Sequence, residues 1–128
     1  MTTAEDAFEE ALYIFRRLAM SNPSVYQPDV GSVLNNLAVL EWELGKVAQA
    51  RTHLDEAIRI NTELWKMNPA SMGDGLAWTL LINTMVPTES ERPTSELCNF
   101  ASQAEAVAYD GQLKETAVAS ESMFCNQL

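Results

Sequence analysis

The sequence predicts an all-α protein of about six helices laid side by side in antiparallel pairs. Three observations carry that prediction. Between Pro28 and Pro69, small and apolar residues recur at helical spacing: Leu34, Leu37 and Ala38 before a break at Gly45, then Ala50, Leu54, Ala57 and Ile60 after it. A helix repeats every 3.6 residues, so each set falls on one face. Gly45 reaches φ > 0 without a Cβ clash, which suits a tight turn between two helices. Finally, the chain resembles itself at an interval of 46 residues.

That self-similarity sets the first element. Ala50, Leu54, Ala57, Ile60 and Leu64 find counterparts in Ala4, Phe8, Ala11, Ile14 and Leu18, and Asn68-Pro69 in Asn22-Pro23. The stretch 4–20 is therefore predicted to be the second helix of a repeat whose first helix is missing; the chain is expected to start in mid-repeat. In a stack of helix pairs, each helix buries one face on its pair-mate and another on the next repeat. The edge made by Ala4, Phe8 and Ala11 is thus expected either to be exposed or to be covered, by a second copy or by the rest of a longer protein.

The remaining elements follow in order. Pro23 and Pro28 predict a connector over 21–29, with Asp29 as N-cap of a helix from Gly31 to Glu43. Its partner runs from Val47 to Met67, about 31 Å at 1.5 Å per residue, and Asn68-Pro69 stops it. A second connector covers 70–74, and the next helix runs from Gly75 to the residues before Pro87. Trp78 and Leu81 stand 44 residues after Leu34 and Leu37, which assigns them the same buried positions. The polar stretch 87–94 is a loop. Thr94 caps a helix from Ser95 to Tyr109 with Leu97, Ala101, Ala104 and Ala108 on one face. Asp110-Gly111 ends it, and 112–126 is a last, capping helix. The chain reads as one domain: an orphan helix (4–20), a complete repeat (29–67), a divergent repeat (75–109) and the cap (112–126).

The run Leu34-Asn35-Asn36-Leu37-Ala38-Val39-Leu40, with Gly45-Lys46, Ala50, Leu54 and Ala57, resembles one tetratricopeptide repeat of the kinesin-light-chain type. The Pro28-Asp29-Val30 lead-in fits that subtype, whereas Glu41 stands where an aromatic is usual. The resemblance implies a superhelical array whose first helices line a groove. By that analogy Asn35, Asn36, Val39, Trp42 and Glu43 face or rim the groove, and Thr79 and Asn83 continue it. It implies a non-catalytic scaffold that grips a peptide or protein and uses no cofactor. An Asn amide both donates and accepts, so it holds extended backbone without reading side chains. The alternative for Asn35 and Asn36 is a structural pair bonded to the neighbouring helix. The basic clamp that some such domains use on C-terminal carboxylates is missing.

Composition narrows the partners. The net charge of −10, from 8 basic and 18 acidic residues, repels nucleic-acid backbones and anionic lipid and favours a basic peptide or protein. Solubility alone is the other reading of this charge. No apolar run is long enough to span a membrane, and the acidic start lacks the apolar core of a leader. Cys98 and Cys125 are too few for a disulfide scaffold and are read as reduced, buried thiols of a cytoplasmic protein, a single bridge being the other option.

Little else in the sequence points to chemistry. His53, the one histidine, is read as a surface or half-buried helix residue. Glu9-Glu10 and Asp55-Glu56 splay around their helices and form no facing dyad. No zinc spacing and no phosphate loop occurs. A small helical enzyme using Cys98 or Cys125 is the distant rival. Of the three tryptophans, Trp78 is assigned to the core and Trp65 to a contact between repeats or an exposed patch; Trp42 is the candidate for ligand contact, with core packing the commoner use of such a residue.

Overall fold

In the computed structural model, which describes residues 3–126, there are six helices and no strand among the described residues. They are α1 (Ala4–Ser21), α2 (Pro23–Glu43), α3 (Val47–Met67), α4 (Pro69–Met85), α5 (Thr94–Val107) and α6 (Gly111–Cys125). Each packs on its neighbours in sequence; α2 also touches α4, and α4 touches α6. The array is thus two rows: α1, α3 and α5 in one, α2, α4 and α6 in the other.

Two helices begin earlier than proline content suggests. The predicted connectors 21–29 and 70–74 are helical except at Asn22, the corner between α1 and α2. Pro23 and Pro69 each occupy the first helical position, where a missing N–H is no loss and a fixed φ is already correct. Asn22 and Asn68 precede them with nearly the same backbone angles, φ −145° ψ 77° and φ −148° ψ 79°. The 46-residue repeat is therefore realised as the same sharp corner, made twice by Asn-Pro. Asp29 lies inside α2 and is not its cap. Pro28 also lies inside α2; the carbonyl it cannot serve, four residues back at Ser24, belongs to an exposed residue that water can reach.

The Asn-Pro corner also corrects the alignment of α4. Aligned on it, Val30, Val33, Leu34, Asn35 and Leu37 correspond to Leu76, Thr79, Leu80, Leu81 and Asn83, and all ten are buried. The interval is 46 here too, not 44. Leu34 is fully buried, but Trp78 does not share its place: it is 36 % exposed. α4 is apolar nearly all round, so its own pattern carries no phase, and the 44-residue reading followed residue size instead.

Two apolar clusters form the core. One gathers Leu12, Leu34, Leu37, Ala50, Leu54, Ala57 and Ile82 between α1, α2, α3 and α4; the other gathers Leu76, Ala77, Leu80, Leu81, Ala104 and Ala117 between α4, α5 and α6. Gly45, at φ 81°, makes the turn between α2 and α3 as its sequence position suggests. Gly31 serves a different end: a Cβ there would overlap the Asn61 side chain, so α2 and α3 approach closely at this level. On the outer row, Arg16 of α1 pairs with Glu56 of α3 (2.6 Å), and Lys46 reaches Glu5 (2.6 Å).

The cysteine assignment is overturned. Cys98 and Cys125 form a disulfide that ties the start of α5 to the end of α6, with Cα atoms 4.9 Å apart. Few cysteines argue against a scaffold of bridges, but count alone does not oppose one bridge that closes an antiparallel helix hairpin. At the other end of that hairpin, Asp74 Oδ1 accepts from the Tyr109 and Asp110 N–H groups (2.6 and 2.9 Å), and Asp110 caps α6 at the Leu113 N–H (3.0 Å).

Candidate binding face

Of the seven residues assigned to a groove by sequence, the structure divides them between interior and surface. Asn35, Thr79 and Asn83 are buried. Asn36 and Glu43 are exposed, and Val39 and Trp42 are half-buried. Their spacing explains the split. Asn36, Val39 and Glu43 share one side of α2 with Ser32, whereas Asn35 is turned about 100° from Asn36 toward the neighbouring helices.

The three interior residues are structural. Asn61 Nδ2 of α3 donates to Thr79 Oγ1 of α4 (2.7 Å), and Thr79 Oγ1 lies within donating distance of Asn35 Oδ1 of α2 (3.0 Å) and of the Gly75 carbonyl (2.9 Å). One hydroxyl therefore joins three helices through groups that are otherwise costly to bury. Asn83 belongs to a second cluster. Its Oδ1 accepts from both Nη atoms of Arg51 (2.9 Å each), while Arg92 donates to the Asn83 and Val86 carbonyls (2.6 and 3.0 Å). These are end-of-helix carbonyls with no partner inside α4, and a cation suits the negative end of the helix dipole. Burial, aided by the positive charge of Arg92, lowers the Arg51 pKa; Asp55 at 3.5 Å opposes the shift.

A further interior pair escaped sequence reasoning. Glu41, only 1 % exposed, accepts a hydrogen bond from Nδ1 of half-buried His53 at 2.6 Å. The departure of Glu41 from the aromatic expected there was the available signal, since a buried carboxylate requires a donor. His53 is thus the partner of a buried acid across α2 and α3. The disulfide engages both sulfurs, so neither cysteine is a thiolate nucleophile in this state.

What remains on the α2–α4 side is a continuous exposed strip. On α2 it comprises Ser32, Asn36, half-buried Val39 and Glu43; on α4 it comprises Gly75, Trp78 and Met85. Trp78 and Met85 are seven residues apart, so they stack on one side of α4. Neither was singled out for this face by the sequence; aligning Asn68-Pro69 on Asn22-Pro23 places Trp78 opposite exposed Ser32 and would have found it. Trp65 and Trp42 instead pack, half-buried, against the two core clusters. Elsewhere, an apolar hollow of about 350 Å³ lies between the start of α2 and the end of α3, lined by Pro23, Gln27, Ile60, Leu64 and Met67 among others. Among the described residues no group of His, Cys, Asp and Glu is arranged to hold a metal ion, and no helix is long and apolar enough to cross a membrane.

No family model, curated protein or solved structure matches the chain.

Proposed function

We propose that the chain is a non-catalytic helical-repeat module of tetratricopeptide kind that binds a peptide or protein segment across the exposed strip of α2 and α4. One observation carries the reading above others. α4 buries Leu76, Leu80, Leu81 and Ile82, yet leaves Trp78 and Met85 partly in water, 36 % and 40 % exposed, on the side next to Asn36. Tryptophan is enriched where binding energy concentrates, and methionine adapts to varied partners. Asn36 supplies an amide able to grip backbone, as expected for one member of the Asn pair; Asn35 is the structural member. Asp29 and Glu43 flank the strip on α2, and with the net charge of −10 they favour a basic segment.

The test is an array of extended basic peptides, followed by titration of a captured peptide into labelled protein. Amide shifts should cluster at Ser32, Asn36, Val39, Trp78 and Met85, and Trp78→Ala should weaken binding by about tenfold or more. Shifts confined to another surface, with Trp78→Ala and Asn36→Ala both silent, contradict the proposal. Location turns on the disulfide. A cytoplasmic setting keeps such a pair reduced, whereas an oxidising one preserves it. Alkylation on cell lysis distinguishes the two by mass.

A further inference from the structure

Superposing the repeat on itself shows which face of α1 lacks a cover. In α3, Ala50 and Ala57 are fully buried and Ile60 is 7 % exposed. Their counterparts in α1 are exposed Ala4, half-buried Ala11 and Ile14 at 45 % exposure; Leu18 is 39 % exposed. The difference is one helix: α3 is packed between α2 and α4, whereas α1 is packed on α2 and meets α3 through the Arg16–Glu56 pair. The edge expected from sequence, Ala4, Phe8 and Ala11, is thereby rotated. Phe8 and Phe15 lean on the core, as half-buried Ala11 also does with one side; the open stripe runs along exposed Ala4, Ala7, Ile14 and Leu18, with Ala11 at its middle.

We infer that this stripe pairs two copies of the chain through an antiparallel α1–α1 contact about a two-fold axis. The stripe has the alternating three- and four-residue spacing of a coiled-coil seam. Its small members lie in the first half of α1 and its large ones in the second. An antiparallel partner therefore sets Ala7 against Leu18 of the partner subunit, and Ala11 against Ile14 of the partner subunit, each large side chain over a small one. The flanks agree. One edge of the stripe is closed to a partner because Phe8 and Phe15 on it pack against α2. The other edge carries exposed Glu10 and, one heptad later, exposed Arg17 stacked beside Tyr13. An antiparallel pair brings this edge against its own copy, so Glu10 meets Arg17 of the partner subunit twice. A parallel pair brings it against the phenylalanine edge, which is already occupied. The surface is self-complementary in shape and charge, as a two-fold contact requires.

Sedimentation of the oxidised chain over a rising concentration series tests this. The expected mass passes from one chain to two, and Ile14→Glu, at a site already half in water, holds it at one with an unchanged helical spectrum. Glu10→Arg and Arg17→Glu singly place like charges across the axis and weaken pairing by about tenfold; the double reversal restores it. A monomer at every concentration overturns the inference and leaves the stripe to a helix of another polypeptide. So does a dimer indifferent to Ile14→Glu, or single reversals that weaken it without rescue by the double.

Discussion

Thr79 has one hydroxyl and three polar neighbours on three helices, so it is the residue whose loss should be felt furthest. Thr79→Val keeps the shape but strands Asn61 Nδ2 and Asn35 Oδ1 in the interior. The expected cost is about 1–3 kcal/mol, read as a lower urea midpoint with unchanged slope. Two glycines on helices give opposite expectations. Gly31→Ala drives a methyl into Asn61 and should destabilise by about 1–3 kcal/mol. Gly75→Ala meets nothing within 4 Å and should stabilise α4 by about 0.5–1 kcal/mol. Sequence alone could not rank these two: both are glycines in helical stretches, and only the neighbour across the interface separates them. Glu41 and His53 teach the same point, because twelve residues and a turn separate an acid from its donor.

At the scale of elements, α5 and α6 are the pair most dependent on extra support. Their buried residues are Ala101, Ala104, Ala108 and Ala117, which allow close approach but remove little apolar surface from water. Reducing Cys98–Cys125 should therefore destabilise this hairpin by about 3 kcal/mol, seen as earlier melting of α5 and α6 in hydrogen exchange with and without reductant. The same pair carries a pH dependence. Glu121 of α6 keeps one buried carboxyl oxygen without a partner. A hydrogen bond with Glu105 of α5 raises its pKa, and burial and the Glu105 charge add to the shift. A carboxyl with a raised folded-state pKa contributes stability that is fully present below the ordinary carboxylate range and is lost as pH rises through the raised value. Mild acidification from neutral pH should raise the melting temperature, and Glu121→Gln should flatten that slope. Helix type and order were legible for every element: α1, α3 and α5 carry a face of small or apolar residues at helical spacing, and α4, apolar nearly all round, is bounded by Asn68-Pro69 and Pro87. Helix starts were less so: proline was read as a breaker at Pro23 and Pro69, where the Asn before it makes proline a first residue.

For the whole molecule, the 46-residue interval links the fold to the proposed binding face and to the proposed pairing of α1. Its first half was plain in sequence, since α1 and α3 are amphipathic and align residue by residue. Its second half was not, since α4 is apolar on nearly all sides and the bulky Trp78 was drawn to a core position it does not occupy. The candidate face suffered accordingly: Asn36, Val39 and Glu43 were legible from α2, whereas Thr79 and Asn83 belong to the interior and Trp78 and Met85 take their place outside. The most direct measurement is therefore the emission of Trp78 alone, in a chain carrying Trp42→Phe and Trp65→Phe. A red-shifted spectrum, readily quenched by a small solute, is the predicted result. A blue, unquenched spectrum would put Trp78 in the core, shift α4 by two residues against α2, and remove the proposed binding face with it.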